Sequence, residues 1–399
     1  MSEPLFVEIA NTPRDYAWGR VDGVAGVLGA AGTGGPEAEL WLGAHPGSPA
    51  RTVGDAPWAT LLDWERQAGA RLPFLLKILV SAGPLSLQAH PTPAQAAAGF
   101  ADENDRGIPL EASHRNYKDP YAKPELIVAL EDGFEALCGF RSVAEILVDV
   151  DELAARAGSD ALAPWRAALA GPDGLRAGFS WLLGGGADVD LAVAALVAAA
   201  VGEERFELIT RLAAAYPGDP GIAVALMLRH VTLAAGESLW LPAGNIHAYL
   251  RGAGVELMGP SDNVLRGGLT PKHVDTAELE KVLTFTASED DHLLPVEIAE
   301  GVRSYRPRIH ASGADVPFEL LAVTGAADVA LAGPSIAIAT DGSFALAAEG
   351  AEVAEGAEVA EGAEVAVARG AAVFVTRPAQ VRILSLIHIS EPTRPEPIS

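Results

Sequence analysis

The sequence has almost no cysteine, little lysine and no long apolar run. A single cysteine, Cys138, among 399 residues excludes an internal disulfide and fits a reducing, cytoplasmic setting. No window approaches the roughly 18 uninterrupted apolar residues of a membrane span. The alanine-rich stretch 191–201 is too short and is flanked by acids. Met1 to Ile9 lacks a basic segment followed by an apolar core, so no secretory signal is expected. A formal net charge of −25 disfavours nucleic acid and anionic membrane as partners.

The scarcity of lysine is informative. The five are Lys77, Lys118, Lys123, Lys272 and Lys281, and four of them fall in or beside the segments that carry the candidate site residues below. A solvated surface would scatter them; a pocket for a small anion would gather them.

Apolar residues make up 49% of the chain, ample for burial, and the length implies about two or three domains. Residues 1–142 read as short strands broken by Gly and Pro clusters such as Gly32–Pro36 and Pro91–Pro93. Pro73–Ala82 resembles a buried strand carrying one charge, Lys77. Over 143–228, Ala, Leu, Glu and Arg dominate and apolar residues recur at spacings of three and four, which predicts a helical insert. Strand character returns over 229–297 and again over 298–383. The latter contains three copies of Glu-Gly-Ala-Glu-Val-Ala from Glu349 to Ala366, read as a replicated loop or hairpin rather than a solenoid. The tail 384–399 lacks β alternation, and Ser385–Arg394 resembles translated sequencing-adapter sequence; it is expected to stand outside the fold.

Three segments carry chemistry. In Ser86-Leu-Gln88-Ala-His90-Pro91, residues two apart share a strand face, so Gln88 and His90 would project together as two metal donors. Alone this pair is weak: His90 could be a satisfied histidine beside a turn. The second segment spaces Gly236, Pro242, Gly244 and His247 as G-x5-P-x-G-x2-H, a strand, a tight turn and a second strand delivering His247 inward. This matches a signature of the cupin barrels. In the third, Pro124 keeps the chain extended, so Lys123 and Glu125 share a face, either as a surface ion pair or as part of a site. Two histidines, a carboxylate and an amide would make a zinc site with room for substrate.

Six segments, in order, then resemble the type I phosphomannose isomerases. They are Asn11–Gly19, Ala38–Pro46, Pro73–Lys77, Ser86–Pro91, Lys123–Glu125 and Ser261–Lys272, spanning about residues 6 to 275. The resemblance implies a mainly β fold of two cupin-like (jelly-roll) barrel domains with an inserted α-helical domain. It implies one zinc ion held by Gln88, His90, Glu125 and His247, a catalytic arginine at Arg266, and a pocket lined by Lys77, Ser86, Lys123, Tyr249, Glu256 and Asp262. The substrate implied is a phosphorylated hexose, isomerised between aldose and ketose through an enediol(ate) by a monomer or weak oligomer. Arg266 or Lys123 would stabilise the oxyanion, Glu256 or Asp262 would act as base, and Lys77 with Ser86 would anchor the phosphate. One departure stands out: Ala122 occupies the position where the family usually carries a histidine considered for ring opening or proton transfer. A cupin oxygenase using iron or manganese, and a sugar-binding or structural cupin without turnover, remain alternatives.

Overall fold

Leu75–Ser81 reads Leu-Leu-Lys-Ile-Leu-Val-Ser, and every one of its residues is buried. A strand can be buried on both faces only if layers cover both, and that is the arrangement seen in the computed structural model. The structure describes residues 4–288, 291–308, 316–348 and 364–385. In chain order the first strands and helices are β1 (Phe6–Ala10), α1 (Gly23–Leu28), β2 (Glu39–Leu42), β3 (Arg51–Thr52), α2 (Leu61–Ala68), β4 (Leu75–Ser81), β5 (Gln88–Ala89), α3 (Pro93–Asp105), β6 (Glu125–Ala129) and β7 (Phe134–Phe140). Helices α4 (Val143–Ala157), α5 (Ala163–Leu169), α6 (Gly174–Leu183), α7 (Ala187–Ala200), α8 (Glu207–Ala215) and α9 (Gly221–Leu226) follow. Then come β8 (Leu228–Leu233), β9 (Ser238–Leu241), β10 (His247–Met258), β11 (Leu265–Arg266) and α10 (Thr276–Val282).

The twelve-residue strand β10 organises the centre by changing partners halfway. Its first half pairs antiparallel with β5 and β7, its second half with β4 and β6. Strands β11 and β8 extend the first set, β2 and β9 the second, giving one nine-stranded sheet. A bulge between Tyr249 and Arg251 adds one residue to β10 against β7, and Gly252 follows it with φ 119°. The extra residue reverses the alternation along the strand. His247 and Tyr249 therefore share the interior with Glu256, although odd and even positions of an unbroken strand face opposite ways.

The outward side chains of the two halves feed different cores. Ala248 and Leu250 pack with the helices α4–α9 and with Leu87, Ala89 and Leu137. Val255 and Leu257 pack instead with Val7, Ile9, Leu40, Ile78 and Phe374. Between the halves lies a small interior cluster that includes Leu79, Ile127, Phe134, Leu239 and Tyr249. Helix α4 begins on a reciprocal cap: the Ser142 hydroxyl accepts from the Glu145 amide, and the Glu145 carboxylate accepts from the Ser142 amide. No single helix among the described residues is long and apolar enough to cross a membrane; the apolar pair α6–α7 is bent by 103°.

The remaining strands are β12 (Val296–Ala299), β13 (Val302–Tyr305), β14 (Leu320–Val323), β15 (Ala327–Leu331), β16 (Ser335–Ile338), β17 (Phe344–Ala348), β18 (Glu364–Val367), β19 (Ala372–Val375) and β20 (Ala379–Ser385). They form antiparallel sheets ordered β12-β13-β14, β15-β20-β17-β18 and β16-β19-β1-β3. The first strand of the chain thus closes a sheet built near its end, with Val7 opposite Phe374. The Glu-Gly-Ala-Glu-Val-Ala repeat lies outside the described residues except for its last three, at the start of β18. Leu384 and Ser385 complete β20, and the rest of the tail is outside the described residues.

Candidate metal centre and active site

Strand register assembles the site. Across β11, β5 and β10, Arg266 lies opposite Gln88 and Gln88 lies opposite His247. Directly opposed residues share a face, so three residues separated by up to 178 positions become neighbours along one ladder. Glu125 opens β6, and His90 follows β5 directly. His90, Glu125 and His247 are all buried, and one ligand atom from each lies within 4.8 Å of the others. Nε2 of His90 is 3.3 Å from Oε1 of Glu125, and Nε2 of His247 is 3.1 Å from Oε2.

The outer nitrogens decide what the inner ones can do. Nδ1 of His90 is 2.8 Å from the Asn263 carbonyl oxygen, and Nδ1 of His247 is 3.2 Å from that of Asn245. A carbonyl can only accept, so both rings carry a proton on Nδ1 and turn an Nε2 lone pair inward. Burial, the largest influence, pushes His90 down to about 4, so its ring is neutral near pH 7. Burial, the largest influence, opposes the charge on Glu125, but Lys123, with Nζ 2.7 Å from Oε1, and the two histidines together hold the carboxyl well below its usual range. Lone pairs therefore face a carboxylate at about 3 Å, and both Nε2 atoms and Oε2 of Glu125 are buried without a hydrogen bond. That is unfavourable unless a cation lies between them. Four-coordinate zinc sets nitrogen and oxygen ligands about 3.3 Å apart, so the residues present fit such an ion. Gln88, half-buried beside His247, is placed on the same face.

A second buried polar group adjoins the first. Lys77 Nζ lies 2.8 Å from Glu256 and 3.5 Å from Glu39, over the Trp41 ring. Burial works against its charge, yet the Glu256 and Glu39 carboxylates raise its pKa above the ordinary lysine value. Burial pushes Glu256 up, with Lys77 opposing. Tyr249 is buried with its hydroxyl lacking a hydrogen bond, and burial followed by the nearby Glu256 and Glu125 charges holds the phenol well above its usual value. Glu39, Glu125 and Glu256 against Lys77 and Lys123 leave one negative charge in excess, which a dication would convert to a positive one.

Arg266 and Lys272 behave differently. Among the described residues neither side chain has an ion pair or hydrogen bond, and burial lowers the pKa of both, with the Arg266 charge adding to the effect on Lys272. Ser86 is half-buried on the segment before β5. Asp262 is half-exposed and pairs with His45 at 3.3 Å, so neither it nor Glu256 neutralises Arg266. Glu39, Trp41, His45 and Asn263 received no individual role from the sequence. All four lie within segments that matched the family pattern, and only the paired strands and loops reveal what they touch.

A buried His-Glu-His set inside a two-halved β-sheet defines a metal-binding cupin. The family profile described as phosphomannose isomerase type I, catalytic domain, matches residues 6–143. Mannose-6-phosphate isomerase of Escherichia coli (strain K12) is 37% identical over 313 residues, 74% of this chain and 78% of that one. The rat protein of the same name is 32% identical over 328 residues, 72% and 75% respectively. A crystal structure of the Salmonella typhimurium enzyme bound to its substrate F6P and a zinc atom superposes with TM-score 0.80 at 29% identity, covering 96% of this chain and 100% of that one. A zinc-bound holo structure of mannose 6-phosphate isomerase gives TM-score 0.80 at 28% identity, with the same coverage. The chain belongs to the type I mannose-6-phosphate isomerase family, a family of enzymes.

Proposed function

We propose that this chain is a zinc-dependent isomerase interconverting mannose 6-phosphate and fructose 6-phosphate through an enediol(ate). The observation that carries the reading is the convergence of two Nε2 lone pairs and the Glu125 carboxylate beside unpaired Arg266. His90, Glu125 and His247, with Gln88 beside them, would hold the zinc. Bound there, zinc supplies Lewis acidity without redox chemistry, which favours an isomerase over a cupin oxygenase.

The two sugars differ by a proton and a carbonyl exchanged between C1 and C2. Glu256, buried and with its pKa raised, suits removal of the carbon-bound proton. Lys123, buried beside Glu125, suits stabilisation of the oxyanion that follows. The sequence pointed to Lys77 and Ser86 as the phosphate anchor. Pairing of Lys77 with Glu256 and Glu39 favours another assignment: Arg266 and Lys272 take the phosphate, and Lys77 keeps Glu256 in place. Part-buried Arg266 and nearby Lys272, without a carboxylate partner in a chain of net charge −25, suit a small anion.

A coupled assay for mannose 6-phosphate turnover, run with metal analysis of the same preparation, tests the reading. Zinc near one equivalent per chain and turnover lost on chelation are expected. Full turnover in metal-free protein would overturn it, as would zinc without turnover, which would mark a sugar-binding cupin.

A further inference from the structure

We propose that His45 is a positioning residue for Asp262, holding one carboxylate oxygen so that the other addresses the sugar. The inference rests on the isomerase reading and adds a residue to it.

His45 is almost fully buried, 5% exposed, with its ring edge-on to Trp41 at 4.8 Å between centroids. The Gly47 amide donates to its Nδ1 at 3.1 Å. Nδ1 is therefore the acceptor, the neutral ring carries its proton on Nε2, and Nε2 points at Oδ2 of Asp262, 3.3 Å away. A Cβ at residue 47 would sit 3.2 Å from Nδ1, so the loop fits closely around the ring. Oδ1 of Asp262 has no hydrogen bond among the described residues, and the side chain is 54% exposed. Its backbone is fixed as well, since the Asp262 amide donates to Asp119 Oδ2 at 2.9 Å.

The arrangement is a buried imidazole of fixed tautomer carrying a rim carboxylate whose second oxygen is open. The groups that face Asp262 are His45 from the 43–47 loop, Lys77 from β4, Lys123 ahead of β6, and Asp119. Burial raises the carboxyl, while His45, Lys123 and Lys77 together bring it below its usual value. Removing His45 should therefore move the acid limb of the rate profile upward in pH.

The test uses the zinc-loaded full chain with H45A, H45Q, D262N and H45A/D262N. Glutamine places an N–H near the Nε2 position but cannot shuttle a proton. H45A should lower kcat/KM about tenfold to a hundredfold and shift the acid limb upward, with zinc content unchanged. H45Q should restore most of the rate, and H45A should cost nothing further in D262N. Wild-type rates in H45A would overturn the proposal. So would equal losses in H45A and H45Q with an unmoved acid limb, which would mark a packing role. An inactive wild type would instead sink the isomerase reading itself.

Discussion

The carbonyl oxygen of Asn263 accepts from Nδ1 of His90 at 2.8 Å, while the side chain of the same asparagine holds the segment 118–121. Its Oδ1 accepts from the Lys118 amide at 2.7 Å, and its Nδ2 donates to the carbonyls of Asp119 and Tyr121 at 2.8 Å. Asn263 is fully buried. One residue thus sets the tautomer of a candidate ligand and the course of the chain leading to Lys123 and Glu125.

Asn263→Ala would strand those amide and carbonyl groups and release the carbonyl that orients His90. Zinc affinity, read by competition with a chelator, should fall about tenfold to a hundredfold. Unchanged affinity with normal folding would show that the His90 contact does not depend on the side chain.

If Arg266 takes the phosphate as proposed, its substitution should separate phosphate binding from metal binding. Charge-assisted hydrogen bonds to an anion contribute about 1.5–3 kcal/mol, so Arg266→Ala should lower kcat/KM at least about tenfold while zinc content stays constant. Arg266→Lys should recover only part, because an ammonium lacks the planar fork that meets a phosphate with two bonds. Inhibition by inorganic phosphate should weaken in step. A parallel loss of zinc would show that Arg266 supports the ladder with Gln88 and His247 instead.

Much of this was legible in the residues, for physical reasons that differ by element. The helical stretch after Phe140 announced itself through its composition and three- and four-residue periodicity, both local signals. Turn chemistry and strand parity made His90, Glu125 and His247 candidates with alternatives still open, and it was the family resemblance that singled them out as a set. The partners of Lys77 were not legible. Glu39 and Glu256 reach it only through β2-β4-β10 register, and Glu256 faces inward only because a bulge reverses β10, which no local pattern encodes. The pairing of β1 with β19 is hidden for the same reason, since it spans nearly the whole chain.

Glu135 ties the helices to the sheet and sets an acid limit on stability. Its carboxylate pairs with Arg211 of α8, Arg251 of β10 at 2.6 Å and His230 of β8 at 3.4 Å. Burial would raise its pKa, but the arginines outweigh it and the folded value lies below the ordinary 4.5. His230 is likewise lowered from 6.5, chiefly by burial. A lowered folded pKa gives stability that is complete above the unfolded value and lost as pH falls through the folded one. The Tm should therefore begin to fall below about pH 6.5 through His230 and fall further below about pH 4.5 through Glu135. Glu135→Gln should cost about 1–3 kcal/mol at pH 7 and flatten the lower part of that decline. An unaltered profile would mean the cluster is not coupled to folding.

Gly252 tests whether the bulge is what brings the two halves of the site together. With φ at 119°, the residue sits where a side chain is strained, and a Cβ there would lie 2.7 Å from the Phe134 Cα, a backbone atom that cannot swing aside. Gly252→Ala must therefore either strain the bulge, at about 1–3 kcal/mol, or shift β10 against β7. A shift would move Glu256, Lys77 and Glu125 relative to His247, because β4 and β6 pair with the half of β10 beyond the bulge. The expected result is a lower Tm with a fall in both kcat and zinc affinity, because Glu256 and Glu125 lie on one side of the bulge and His247, Gln88 and His90 on the other. Full kcat at reduced Tm would show that the bulge stores strain without setting the catalytic spacing.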